Sequence, residues 1–175
     1  MKLFEGIKIF FLKKKNQNPK RRNANADRKI TLKKTDQFLH VLILANDENE
    51  VFFKSAENTF ANAEVFPLFL RKKKEDTTGQ FRFSAHESDF NLTGSLKNDK
   101  LTKLSLTKFD LVVDLSSDSE LLRYFLRTVQ SDLIIGQMGS TNGNIHDLFL
   151  ESGSNEEAFL ANISKQLNHL NNGHK

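Results

Sequence analysis

The chain of 175 residues contains no cysteine and no tryptophan, and it has only two prolines and one tyrosine. Because disulfide bonds and zinc sites with thiolate ligands need cysteine, the composition excludes both. No apolar run approaches the ~20 residues that a membrane-spanning helix needs. The apolar stretch at residues 7–12 is interrupted and followed by lysines, which is not typical of a secretory signal. We therefore expect a cytoplasmic protein without a transmembrane span.

Positive charge is concentrated near the N-terminus. Residues 1–34 contain 12 Lys and Arg against 2 Asp and Glu, a net charge of +10. The remaining residues contain 14 against 20, a net charge of −6. This separation of charge indicates an anionic partner for the basic segment, or docking of that segment on its own domain. We predict a basic helix and linker at 1–34 and one Rossmann-like α/β domain at 35–172.

The basic segment also has an apolar side. Five residues fall on one face if residues 2–12 form a helix, which predicts an amphipathic helix with an apolar anchor. The anchor residues are Leu3, Phe4, Ile7, Phe10 and Phe11. The cations predicted to bind an anionic partner are Lys2, Lys8, Lys13, Lys14, Lys15, Lys20, Arg21 and Arg22. Polar residues and Pro19 predict a linker after residue 12.

Beyond the linker, short apolar runs alternate with amphipathic segments, which is typical of an α/β sheet. Strands are predicted at 38–44, 65–70, 81–85, 109–115, 133–136 and 145–150, and helices at 51–63, 117–129 and from 154 onward. Residues 87–107 are predicted to be a long irregular loop. Asp47, Ser117 and Ser154 each precede a glutamate by three residues, the spacing of a capping box. The fold is thus predicted to be a single doubly wound, mostly parallel sheet of five or six strands.

The strand–helix–strand unit within residues 108–139 carries a family resemblance. The run FDLVVDL at 109–115, a helix, and LIIG at 133–136 resemble part of the N-terminal domain of heptosyltransferase-like GT-B glycosyltransferases. Most of the chain is similar to a family of short uncharacterised Bacteroidota proteins, a domain of unknown function with a basic N-terminal helix. That family has an F-N-x-x-G loop, here residues 90–94, before an FDLLIDL strand.

The resemblance implies no activity. A GT-B enzyme binds its sugar nucleotide largely through a second domain, and catalysis takes place in the cleft between the two domains. This chain is too short to contain such a second domain. An active transferase would therefore need a separate partner subunit.

Polar residues follow the predicted central strand. Asp114, Ser116 and Ser117 come at its carboxyl end, and Gly136 ends the next strand. Open α/β sheets bind their ligands at this edge, and a carboxylate with two hydroxyls at a helix start could bind a phosphate or a metal. Helix capping accounts for the same residue types. The four residues form our candidate pocket.

Other motifs indicate no catalytic residue, cofactor or metal. The glycine-rich run at 136–143 lacks the lysine and the spacing of a phosphate-binding loop. The five histidines show no ligand spacing. His146 stands beside Asp147, but adjacent residues in a strand point to opposite faces. The order Ser–His–Asp and the nucleophile elbow are not supported.

The basic segment is therefore the strongest functional signal, and it predicts a non-enzymatic binding or adaptor module. RNA or a ribonucleoprotein is narrowly preferred as the anionic partner, because clustered cations release counterions from a phosphate backbone. One alternative is peripheral binding to an anionic surface such as the inner membrane. Docking on the acidic domain or on a partner protein is another. A reduced glycosyltransferase-like subunit that uses Asp114, Ser116 and residues 136–143 is the enzymatic alternative.

Overall fold

The computed structural model describes part of the chain, and within that part it contains six strands and four α-helices. The described residues are 10, 14, 28–46, 49–70, 83–91, 95–116, 119–138, 145–151 and 155–172. The strands are β1 (His40–Ala45), β2 (Glu64–Leu70), β3 (Phe83–Ala85), β4 (Lys108–Asp114), β5 (Gln130–Gln137) and β6 (Leu148–Leu150). The α-helices are α1 (Glu50–Thr59), α2 (Asp99–Leu106), α3 (Glu120–Thr128) and α4 (Glu156–Asn172).

The strands form one sheet in the order β3-β2-β1-β4-β5-β6, and neighbouring strands are parallel throughout. This is the strand order of doubly wound dinucleotide-binding folds, in which the direction of winding changes between β1 and β4. The prediction of an α/β fold with a mostly parallel sheet of five or six strands is confirmed. The amphipathic helix predicted at 2–12 lies outside the described residues apart from Phe10, and of the linker before residue 28 only Lys14 is described.

Helices cover both faces of the sheet, and each face has its own apolar core. Phe52 of α1 and Phe159 of α4 belong to one buried cluster, whereas Leu104 of α2 and Phe125 of α3 belong to the other. Strands β1 and β4 supply residues to both clusters because consecutive side chains point to opposite faces. Both faces of these strands are buried, which explains their almost unbroken apolar sequences.

Each helix starts at an acidic residue that directly follows an Asn or Ser. Side-chain oxygens of these residues accept hydrogen bonds from backbone N–H groups of the first turn, at Asn49, Asn98, Ser119 and Asn155. The acid in the next position also suits the positive end of the helix dipole. The predicted capping boxes are wrong, because they place the first residue of each cap one or two positions too early in the sequence. The predicted cap residues Asp47, Ser117 and Ser154 lie outside the described residues.

The predicted irregular loop at 87–107 is also wrong, because the region contains regular structure. A short 3-10 turn leads to an antiparallel bridge between Phe90 and Leu96, and α2 follows. Only Leu101 and Leu104 are buried in this eight-residue helix. Its three leucines, of which Leu106 is exposed, are too few to produce a visible helical period in the sequence.

Candidate functional site

The carboxyl end of β4 carries a buried polar cluster. Asp114, the last residue of β4, is 3% exposed, and Ser116 is 2% exposed. The Oδ1 atom of Asp114 accepts hydrogen bonds from the Ser116 hydroxyl and, at 2.9 Å, from the Ser116 backbone N–H. Its Oδ2 atom lies 2.8 Å from Nε2 of His146. These three contacts compensate the carboxylate for its removal from water.

His146 reaches this cluster from the connection between β5 and β6. The last strand was predicted to span 145–150, but β6 begins at Leu148, so His146 lies before the strand. Its imidazole ring covers Gly136 of β5, where an added Cβ would come within 2.7 Å of the ring. Glycine at this position therefore makes room for the histidine. Phe149 packs edge-on against the same ring at a centroid distance of 5.1 Å.

The hydrogen bonding of His146 is incomplete. When Asp114 is ionised it can only accept, so Nε2 of His146 carries the hydrogen of their bond. The other ring nitrogen, Nδ1, is then an acceptor in the neutral ring and a donor in the imidazolium. The side chain is 0% exposed, and Nδ1 has no hydrogen-bond partner among the residues that the structure describes. Buried polar atoms in native proteins rarely lack a partner.

The order of contacts in the cluster does not match that of a serine hydrolase. In those enzymes the histidine lies between the serine and the aspartate, so that it can take the hydroxyl proton. Here the carboxylate of Asp114 lies between Ser116 and His146, and the hydroxyl donates to it. Ser116 is therefore held as a hydrogen-bond donor to Asp114. Across the described part of the chain, no three His, Cys, Asp or Glu residues are grouped as metal ligands.

The structure brings together Asp114, Ser116 and Gly136 of the candidate pocket, and Ser117 lies outside the described residues. Sequence reasoning missed His146, because it considered only the neighbouring Asp147 as a partner. A strand that ends in a buried aspartate needs a donor, and a glycine at the end of the adjacent strand makes space for one. Together these two features were the available signal.

The end of the basic segment lies near the start of three strands. We call residues 28–34 the strap. It contacts neighbouring strands in turn, through Arg28–Asp147 before β6, Thr31–Asp132 in β5 and Lys33–Asp110 in β4. The contact at β5 is a backbone hydrogen bond of 3.4 Å, and the other two are ion pairs. This part of the segment therefore docks on the domain itself.

Asp110 contacts both the strap and the residues around the start of β1. Besides its ion pair with Lys33, its Oδ2 atom accepts from the backbone N–H groups of Leu39, at 2.8 Å, and His40, at 3.0 Å. Burial raises the pKa of Asp110, but these hydrogen bonds and the charge of Lys33 outweigh it. The net result is a pKa below the usual value of an aspartate.

One carboxylate thus lies in β4, one in β5 and one just before β6, and we call Asp110, Asp132 and Asp147 the acidic row. Asp132 pairs with Lys108 at 2.8 Å, and this contact raises the pKa of the lysine. All three carboxylates of the acidic row therefore already have a cationic partner.

Most of the residues predicted to bind an anionic partner lie outside the described residues. Of the eight cations only Lys14 is described, and it is exposed. Of the apolar anchor only Phe10 is described, and it is 63% exposed. Among the helices that the structure describes, none combines the length and the apolar character needed to cross a membrane.

Comparison with known proteins identifies a family whose function is unknown. Neither the curated proteins nor the solved structures give a significant match to the chain. The comparisons lend no support to a likeness with heptosyltransferases, whereas the expected membership in a domain family of unknown function is confirmed. The matching family covers residues 8–170, which include the strap, all six strands and the buried polar cluster. The chain belongs to this family of unknown function (DUF6913).

Proposed function

We propose that the chain is a non-enzymatic binding module in which basic N-terminal residues bind an anionic macromolecule, with RNA or a ribonucleoprotein as the preferred partner. The α/β domain is the rigid platform of this module. The distribution of charge carries the proposal: residues 1–27 hold eight Lys and Arg against two acids. A cluster of this kind gains affinity for a phosphate backbone by releasing its counterions.

The acidic row already has cationic partners and does not offer these eight cations a docking site. Its carboxylates already pair with Arg28, Lys33 and Lys108. A further cation placed there would have to displace an existing one, and exchanging one partly exposed ion pair for another gains little free energy. An external polyanion is the better match for the remaining cations.

The position of the cations favours RNA over a membrane surface. Only Lys2 and Lys8 fall within the amphipathic stretch 2–12, and the other six lie at 13–22 beside few apolar residues. An interfacial helix places its cations around its apolar face, and it commonly carries tryptophan, which this chain lacks. A basic run that extends beyond the apolar face is suited to tracking a phosphate backbone.

A salt-dependent binding measurement on the full chain tests the proposal. Fluorescence anisotropy with a labelled single-stranded RNA should show binding, and the logarithm of the association constant should fall linearly with the logarithm of the salt concentration. Replacing Lys13, Lys14 and Lys15 by Gln should reduce that slope by about 2, since each lost phosphate contact contributes ~0.7. Lys97, Lys100 and Lys103 are exposed cations of the domain, and their triple Gln variant is the matched control with unchanged binding.

Other outcomes would replace the proposal. Binding to anionic vesicles that is lost on Phe10→Glu, without RNA binding, would favour the peripheral membrane protein. Transfer of a sugar from a sugar nucleotide, in the presence of a partner subunit, would favour the glycosyltransferase-like enzyme. If the chain bound neither RNA nor anionic vesicles at low salt, this result would contradict any role for the basic segment in binding anionic partners.

A further inference from the structure

We propose that the buried polar cluster at the carboxyl end of β4 binds a hydroxyl-bearing small molecule, a sugar or the ribose of a nucleoside, through Nδ1 of His146. The proposal does not rest on the function of the basic segment. It starts from the surroundings of the His146 ring: Asp114 fixes Nε2, Phe149 packs against the ring edge-on, and the ring lies directly against Gly136.

The orientation of the His146 ring is determined by its neighbours. Turning the ring over would exchange the positions of its atoms and remove the 2.8 Å contact between Nε2 and Asp114. Asp114 is buried, so the loss of this contact would leave a carboxylate without one of its donors. Nδ1 is therefore held in one direction, and it has no partner within the described residues.

The chemistry of Nδ1 selects the kind of ligand. In the neutral ring Nδ1 accepts a hydrogen bond, and in the imidazolium it donates one. A hydroxyl group satisfies both states, because it contains both a donor and an acceptor. A fully ionised phosphate satisfies only the imidazolium, because it has no donor, and the nearby carboxylate of Asp114 would repel it. A neutral ligand with hydroxyl groups is thus the best match.

The cluster also lies where this type of sheet binds ligands. The backbone N–H of Leu115 donates to Leu44 at 2.9 Å, so β4 runs beside β1 up to the residues of the cluster. The strand order reverses between these two strands, and the crevice outside their carboxyl ends is the general ligand site of open α/β sheets. A hydrogen bond formed there would be strengthened by the low local dielectric.

Nitrogen-15 NMR of histidine-labelled protein tests the proposal directly. We would titrate the full chain with glucose, with adenosine and with 2′,3′-dideoxyadenosine, which lacks the 2′ and 3′ hydroxyls of the ribose. The Nδ1 resonance of His146 should move saturably with glucose or with adenosine but not with the dideoxy compound. A response to glucose alone identifies a free sugar as the ligand, and a response to adenosine alone identifies a nucleoside.

The matched variant is His146→Gln. Its side-chain amide retains a donor near the position of Nε2, so the bond to Asp114 and the fold should persist, whereas the group at Nδ1 is removed. Affinity for the active probe should fall about tenfold or more, the effect of losing one hydrogen bond in a buried site. The NMR titration of the unmodified chain supplies a test even if this variant does not fold.

Three results would overturn the proposal. The first is an Nδ1 resonance that no probe moves. The second is equal binding of adenosine and its dideoxy analogue, which would mean that the 2′ and 3′ hydroxyls are not recognised. The third is a crystal structure, grown with glucose and adenosine, in which an ordered water is the only partner of Nδ1.

Discussion

The strap and the buried polar cluster both place carboxylates against cationic or polar partners, yet they differ in burial. In the strap region every carboxylate of the acidic row has a cationic partner, and the ion pair of Arg28 is only partly buried. In the cluster, Asp114 and His146 are buried and one nitrogen has no described partner. Partly exposed ion pairs of this kind are explained by a modest contribution to stability. An unsatisfied buried atom requires a separate explanation, and a ligand provides one.

The largest effect should come from removing the carboxylate of the cluster. Asp114→Ala leaves Nε2 of His146 and the Ser116 hydroxyl buried without their acceptor. We expect unfolding free energy to fall by ~3–5 kcal/mol, as for other buried pairs that lose one partner. Urea denaturation at pH 7 measures this loss. Ser116→Ala removes one donor and should cost only about 1 kcal/mol. Equal losses in the two variants would show that the cluster does not depend on Asp114.

A smaller effect is expected where glycine makes room for the histidine. Gly136→Ala places a methyl group within 2.7 Å of the His146 ring, which is buried and cannot simply move into solvent. The loss should be about 1–3 kcal/mol, as for other overpacked sites. In a His146→Ala background the same substitution should cost much less, because the clashing ring is gone. A double-mutant cycle measures this coupling, and additive losses would contradict the described packing.

The smallest effect should come from the strap and should depend on pH. Because the folded pKa of Asp110 is lowered, its ionised form stabilises the fold above the unfolded pKa of about 3.9. This contribution should disappear as pH falls through the lower, folded pKa. Asp110→Asn should therefore cost about 1 kcal/mol near pH 7 and progressively less in acid. Thermal melts of both proteins from pH 7 to pH 2 test this, and a constant difference would contradict it.

The sheet could be predicted from the sequence because each central strand is marked by a local feature, its own apolar run. Residues 109–115 and 38–44 are apolar on both faces, and only a strand between two helical layers buries both. Helix starts were placed less well. The capping-box spacing predicted that the glutamate would occupy the third helical position. In the structure the glutamate is the first helical residue, directly after Asn49 in α1 and Ser119 in α3. The short helix α2 has too few apolar residues to stand out.

The site could be predicted only in part, since its contacts join distant residues. Asp114 and Ser116 are two positions apart and follow a recognisable strand, so they were found. His146 lies 32 positions from Asp114, and Arg28 lies 119 positions from Asp147. No spacing rule connects such residues, because the route of the chain between β5 and β6 determines which of them meet.

The adjacency of His146 and Asp147 has a consequence for both regions. The side chain of His146 completes the polar cluster, and that of the next residue, Asp147, pairs with Arg28. Asp147 also accepts a hydrogen bond from the backbone N–H of Ile134 at 2.7 Å, so these two residues form one structural unit. A displacement of this unit alters both sets of bonds together. A substitution that displaces His146 or Asp147 should therefore weaken the polar cluster and the attachment of the strap at the same time.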